Sequence, residues 1–251
     1  MELGIQISSV RKYLQTPEDV LRSFQKVSGI GYRNIQIQWI SPDVPPEFIK
    51  DALLETKMKC VGTQDYTEDV LPQLDAIIAM NRLWGGSYVC ISGIPKDQMN
   101  AEGTKAFARV VAEATKRVEG AGMVMEFHPR APEFAAGGGA ILLDILMDAL
   151  PPTFQLCLDA FHVVKAGLDP AAWVRKYRGR LDLIHFKDMQ KLPDGSTDVC
   201  PVGQGFIDWP GIVKACQETN VKYCFAEQET WKKDAFECLK ESYDYIRTLG
   251  L

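Results

Sequence analysis

The chain has 251 residues, 46% of them apolar, and a formal net charge of -5, enough to bury one large core or two small ones. The acidic balance argues against a nucleic-acid partner, which needs a basic face, and no run reaches the roughly 18 apolar residues of a membrane span. The opening MELGIQISS has no cationic segment leading into an apolar one, so no secretory signal is expected.

Short apolar strands alternate with amphipathic helices along the whole chain. Strands are predicted at 3–8, 34–40, 59–63, 87–92, 123–128, 154–159, 181–187 and 222–227, and helices near 17–28, 45–57, 67–83, 102–119, 140–150, 170–178, 210–218 and 233–248. Helix starts carry capping chemistry: Thr16-Pro17-Glu18-Asp19, then Asp169-Pro170 and Asp208-Trp209-Pro210. Glycines 29, 31, 120 and 122 stand where helices end. Eight strand–helix units of about 30 residues predict an α/β fold, a single-domain (β/α)8 TIM barrel. A doubly wound open sheet would show a glycine-rich turn after its first strand; here that strand runs into Ser8-Ser9-Val10-Arg11. The stretch 189–209, with Pro193-Asp194-Gly195-Ser196, reads as a surface loop.

Seven cysteines are scattered without a CxxC pair, several inside apolar runs such as YVCIS and LCLDA, where cysteine acts as a small hydrophobe. A reducing cytoplasm is the expected compartment, with neither a disulfide framework nor a thiol-based zinc site.

Barrel enzymes place their chemistry at the carboxyl ends of the strands, and residues i, i+2 and i+4 of a strand share a face. Val124, Glu126 and His128 then share one face, as do Gln155, Cys157 and Asp159; Leu183, His185 and Lys187; and Tyr223, Phe225 and Glu227. Four consecutive strands thus end on a carboxylate or an imidazole. Three carboxylates and a histidine in a confined space call for a divalent cation of the manganese, magnesium or cobalt kind, with zinc an alternative. All three histidines of the chain, His128, His162 and His185, fall in these segments.

The stretches MVMEFHPR, LCLDAFHVVKAG, DLIHFKDM, PVGQGFIDWPGIV and CFAEQET, in this order, resemble the sugar phosphate isomerase/epimerase family of xylose-isomerase-like barrels. The likeness runs over essentially the whole chain, but its specific part is 123–229. The most specific pieces are Asp159 with His162, and His185 with Lys187 and Asp188. The resemblance implies one divalent metal, manganese first, held by Glu126, Asp159, His185 and Glu227, with Glu229 a rival for the last place. It also implies that His162 touches substrate and that Glu126 and Glu227 flank it, one removing an α-proton and the other returning it. Return to the opposite face epimerises; return to the neighbouring carbon isomerises.

Lys187 reads as a donor to a substrate oxygen or as half of an ion pair, with Asp188 the candidate partner. His128, with Arg130, reads as pocket lining, and Gln36, Gln38 and Trp39 as contacts for sugar hydroxyls. Gln204 stands where relatives often carry a glutamate. The run Gly137-Gly138-Gly139 precedes a helix, where backbone N–H groups bind phosphate, but no Arg or Lys cluster accompanies it, which favours an unphosphorylated sugar. A homodimer or homotetramer is the family-level expectation. A dehydratase or other lyase is the alternative on the same site. An apurinic-site endonuclease would need more histidines and a basic groove, and a non-catalytic sugar-binding barrel would show a broken ligand set.

Overall fold

Each repeating unit pairs a strand too short and apolar to stand alone with a helix whose apolar stripe covers it. The computed structural model describes every residue except Gly138. Its barrel strands are β1 (Glu2–Gln6), β2 (Asn34–Ile37), β3 (Lys59–Tyr66), β4 (Tyr88–Ser92), β5 (Val124–His128), β6 (Gln155–Asp159), β7 (Leu181–Phe186) and β8 (Tyr223–Ala226). All are parallel to their neighbours, and β8 returns to pair with β1, so the barrel itself has no open edge. The ring of eight strands is the expected TIM barrel.

The pleat divides the core in two. Phe127, Leu156, Leu158, Ile184 and Phe186 belong to the large outer core shared with the helices, where each buried side chain contributes about 1.5–3 kcal/mol. Val61, Tyr88, Cys90, Cys157, Leu183 and Phe225 form a separate, smaller cluster, and the strand alternation assigns it to the barrel interior. Gly4 makes room for it, since a Cβ there would lie 2.6 Å from the Phe225 ring. All seven cysteines are buried and free, and no described helix is long and apolar enough to cross a membrane.

The predicted caps form: Thr16, Asp169 and Asp208 accept from the backbone N–H groups of Asp19, Ala171 and Gly211. Four predictions need correction. The first strand ends at Gln6, and Ile7–Tyr13 is a 3-10 helix. The second ends at Ile37, before Trp39 takes a left-handed backbone with φ 57°, a conformation bulky residues avoid. The stretch 189–209 is no plain loop, because Asp188–Lys191 pairs antiparallel with Thr197–Cys200. The helix predicted at 67–83 also breaks, with a 3-10 turn at Leu71–Gln73 around Pro72 separating Thr67–Val70 from Leu74–Trp84, as a ring lacking an N–H dictates.

Candidate metal centre at the barrel mouth

At the carboxyl end of the barrel, β5, β6 and β7 each carry a polar inward residue at or near their ends, and one more follows β8. His128 ends β5 opposite Ser92 of β4, Asp159 ends β6 opposite His185 of β7, and Glu227 follows β8, its N–H donating to Phe186 O at 3.0 Å. One ligand atom from each of His128, Asp159, His185 and Glu227 lies within 4.8 Å of the others, and all four residues are buried. Asp159 caps the helix Ala160–Lys165 by accepting from Phe161 N at 2.7 Å through Oδ1. Its Oδ2 is left without a hydrogen-bond partner, as is His128 Nε2, and the two are 3.7 Å apart. Two buried ligand atoms with nothing to bind, in a set of two imidazoles and two carboxylates, fit a divalent ion.

The structure brings Asp159, His185 and Glu227 together but sets Glu126 apart. Glu126 lies two residues before His128 on the inward face, opposite Cys90 in register, and groups instead with Cys90 and Cys157. The pleat is the cause: β5 continues to residue 128, so its rim residue is His128, read from the sequence only as lining, and Glu126 is one layer deeper. Burial pushes the Glu126 carboxyl well above its ordinary range.

His185 is gripped from both sides. Its Nδ1 is 2.7 Å from Glu227 Oε2, and its Nε2 is 2.7 Å from Gln36 Oε1. Gln36 Oε1 also accepts from Gln6 Nε2 at 3.0 Å. Burial opposes a charge on His185, but Cys157 and Glu227 outweigh it and raise its pKa well above normal. Burial likewise opposes ionisation of Glu227, yet Lys187 and His185 pull its pKa down to about 2. Asp159 is also held below its usual range, because His162, His128 and Lys187 outweigh burial.

Lys187 pairs with Glu229 Oε2 at 2.6 Å and sits 3.6 Å from Glu227 Oε1; Asp188 is not its partner. Burial opposes its charge, but Glu227, Asp159 and Glu229 raise its pKa. Glu229, the rival for the last ligand place, is thereby committed to the lysine. His162 Nε2 is 3.8 Å from Asp159 Oδ2, and burial lowers its pKa to about 4, leaving a neutral imidazole at neutral pH. Gln38 is buried, while Trp39 Nε1 donates to Asp65 Oδ1 at 3.2 Å and its ring packs on Tyr66 and under Arg11. Gln204 donates to Glu241, outside the cluster. Of the glycine run, Gly138 lies outside the described residues. Two partners escaped the sequence reading: Gln6, and Ser92, whose hydroxyl is 3.2 Å from His128 Nδ1. Both lie on the inward parity of their strands, the only signal they carry.

Residues 65–249 match the family described as the xylose isomerase-like TIM barrel. The chain belongs to that family. Among solved structures with the same fold are a sugar phosphate isomerase/epimerase from Parabacteroides distasonis, an L-ribulose 3-epimerase and the IOLI protein with a bound zinc atom. The first is 19% identical with a TM-score of 0.82, covering 98% of this chain and 93% of the other. The epimerase is 15% identical with a TM-score of 0.78, covering 99% and 94%. The zinc-bound protein is 15% identical with a TM-score of 0.77, covering 99% and 98%. Among curated proteins no sequence match was found. These three structures share the whole architecture with this chain at low identity.

Proposed function

We propose that this protein is a divalent-metal-dependent isomerase or epimerase of a small ketose or keto-sugar. The observation that carries the reading is the pair of unpartnered buried ligand atoms, Asp159 Oδ2 and His128 Nε2, 3.7 Å apart beside His185 and Glu227. His128, Asp159, His185 and Glu227 would hold the ion, manganese by the family resemblance, with zinc equally suited to the two imidazoles. When bound, it supplies a Lewis acid that stabilises negative charge on a substrate carbonyl oxygen.

The chain's own residues do the rest. Glu227, kept ionised by Lys187 and His185, takes the α-proton through the oxygen turned away from His185 and returns it to the neighbouring carbon in isomerisation; in epimerisation Glu126, the other carboxylate of the inward face, returns it from the opposite side. Lys187, kept charged between Glu227 and Glu229, donates to a substrate oxygen. His162, neutral and with its side chain 18% exposed, hydrogen-bonds a second oxygen.

The test is a screen of ketoses, inososes and keto-glycosides in deuterated water with manganese, read by NMR for exchange and product. Glu227→Gln is expected to slow exchange by about 10²–10⁴-fold, the usual worth of a positioned acid–base group. Exchange undiminished in that variant overturns the proton role. A product lacking water shifts the reading to a dehydratase on the same site.

A further inference from the structure

Beside the candidate metal centre, the segments that follow β1 and β2 build a groove for which the proposed reaction has no use as it stands. The 3-10 helix Ile7–Tyr13 is pinned to the mouth by Ser9, whose Oγ accepts at 3.0 Å from the N–H of Gln228, the residue after Glu227. Arg11 and Lys12, on that helix, line an open groove of about 500 Å³ together with Gln15 and Trp39. The Arg11 guanidinium lies over the Trp39 ring, 5.5 Å from its centroid, and the Lys12 ammonium lies 5.6 Å from the centroid of Trp231. Two donors here are buried with nothing to donate to, Arg11 Nη1 and Trp231 Nε1. Neither Arg11 nor Lys12 has an acidic partner among the described residues. Unmatched buried donors are costly, and neighbouring like charges repel. The groove's aromatic wall is strained as well: Trp39 is kept at φ 57° while Asp65 Oδ1 accepts from its Nε1 and its ring packs on Tyr66. Strain of that kind persists only where the surroundings enforce it, and it gathers at binding sites.

We propose that this groove is an oxyanion subsite, in which Arg11, Lys12 and Trp231 Nε1 hold a carboxylate or phosphate at the far end of the substrate. The inference rests on the proposed function for the other end, the keto group at the metal centre, and narrows the substrate class to acidic ketoses. A planar guanidinium offers two parallel N–H groups that match a carboxylate or a phosphate edge. The ammonium adds charge, and the indole N–H can only donate. A neutral sugar hydroxyl would leave both charges uncompensated. The two subsites are neighbours around the ring, because β8, which leads into Glu227, pairs with β1, which leads into Arg11.

The experiment is calorimetry at low ionic strength on the full chain, metal-free and manganese-loaded, with three ketohexoses that differ only at carbon 6: D-fructose, D-fructuronate and D-fructose 6-phosphate. At least one acid is expected to bind about tenfold or more tighter than fructose, the worth of a hydrogen bond to a charged group. The tighter acid says which oxyanion the groove takes. Arg11→Met, which keeps an apolar stem over Trp39, is expected to abolish the preference and leave fructose binding unchanged. Lys12→Ala should narrow the preference, and added salt should weaken the acids alone. Both variants are checked for folding by circular dichroism. Equal affinity for all three sugars in the wild type overturns the proposal, as does a preference that survives Arg11→Met or, if that variant does not fold, one untouched by Lys12→Ala. The metal-free arm separates this inference from the proposed function. An Arg11-dependent preference without deuterium exchange in any ketose upholds the subsite and overturns the isomerase reading, whereas exchange into fructose without any preference for the acids overturns the subsite alone.

Discussion

His185, in the proposed metal set, is oriented by its neighbours on both sides. With Nδ1 turned to Glu227, its Nε2–H donates to Gln36, whose own oxygen is fixed by Gln6. Such a partner on the far nitrogen sets the tautomer and the ring orientation, and its loss typically costs about 10–100-fold in metal affinity. Gln36→Leu, which keeps the bulk but removes the acceptor, should weaken manganese binding by that factor in calorimetry while the fold survives. Binding as tight as wild type would mean that the glutamine only fills space. His185 was legible in the sequence because a histidine inside an apolar run is conspicuous. Gln36 was visible only as a candidate sugar contact, and Gln6 not at all: a lone amide near a strand end gives no sign of which neighbour it meets across a barrel. The same limit applies to Glu126 and His128, which share a face, since strand parity assigns a face but not a height.

At the scale of elements, the chain leaving β7 is tied down by one carboxylate. Asp188 Oδ2 accepts from Gly203 N at 2.9 Å, Gly205 N at 3.1 Å and Trp209 Nε1 at 2.8 Å, and its Oδ1 accepts from Met189 N at 2.8 Å. Gly205 is required by this approach, because a Cβ there would lie 2.1 Å from Asp188 Oδ1. The loop and the start of the helix Trp209–Thr219 are thus hung from the residue beside Lys187, coupling the β7 loop to the mouth. Asp188→Ala leaves two buried donors, Met189 N and Trp209 Nε1, unmatched at about 1–3 kcal/mol each, so urea unfolding should show a loss of about 2 kcal/mol or more; a loss under about 1 kcal/mol would refute the anchoring role. The existence and type of nearly all the elements were legible, because strand and helix periods differ and the caps are written in Thr16, Asp169 and Asp208. What was not legible was set by tertiary contact. The antiparallel hairpin in 188–200 looks like a polar loop in isolation, and the left-handed turn at Trp39 defies the preference of its residue type.

Across the whole molecule, the mouth ligands reach from His128 to Glu227, so they join β5, β6, β7 and the chain leaving β8 through residues that span nearly 100 positions. Unfolding any of these strands destroys the site, and binding is therefore linked to global stability rather than to one loop. An ion that binds only the folded state stabilises it by about 2.7 kcal/mol at a free concentration 100 times Kd. For a domain of this size each kcal/mol raises Tm by roughly 2–4 °C. Saturating manganese should accordingly raise the midpoint by about 5–10 °C in thermal unfolding. The gain should vanish in His185→Ala, which loses a ligand from the centre of the set, and persist in Gln204→Ala, whose side chain pairs with Glu241 outside the cluster. The comparison with Gln204 matters, because a shift of equal size in both variants would signal a cation acting on the acidic surface of the chain instead of on the barrel mouth.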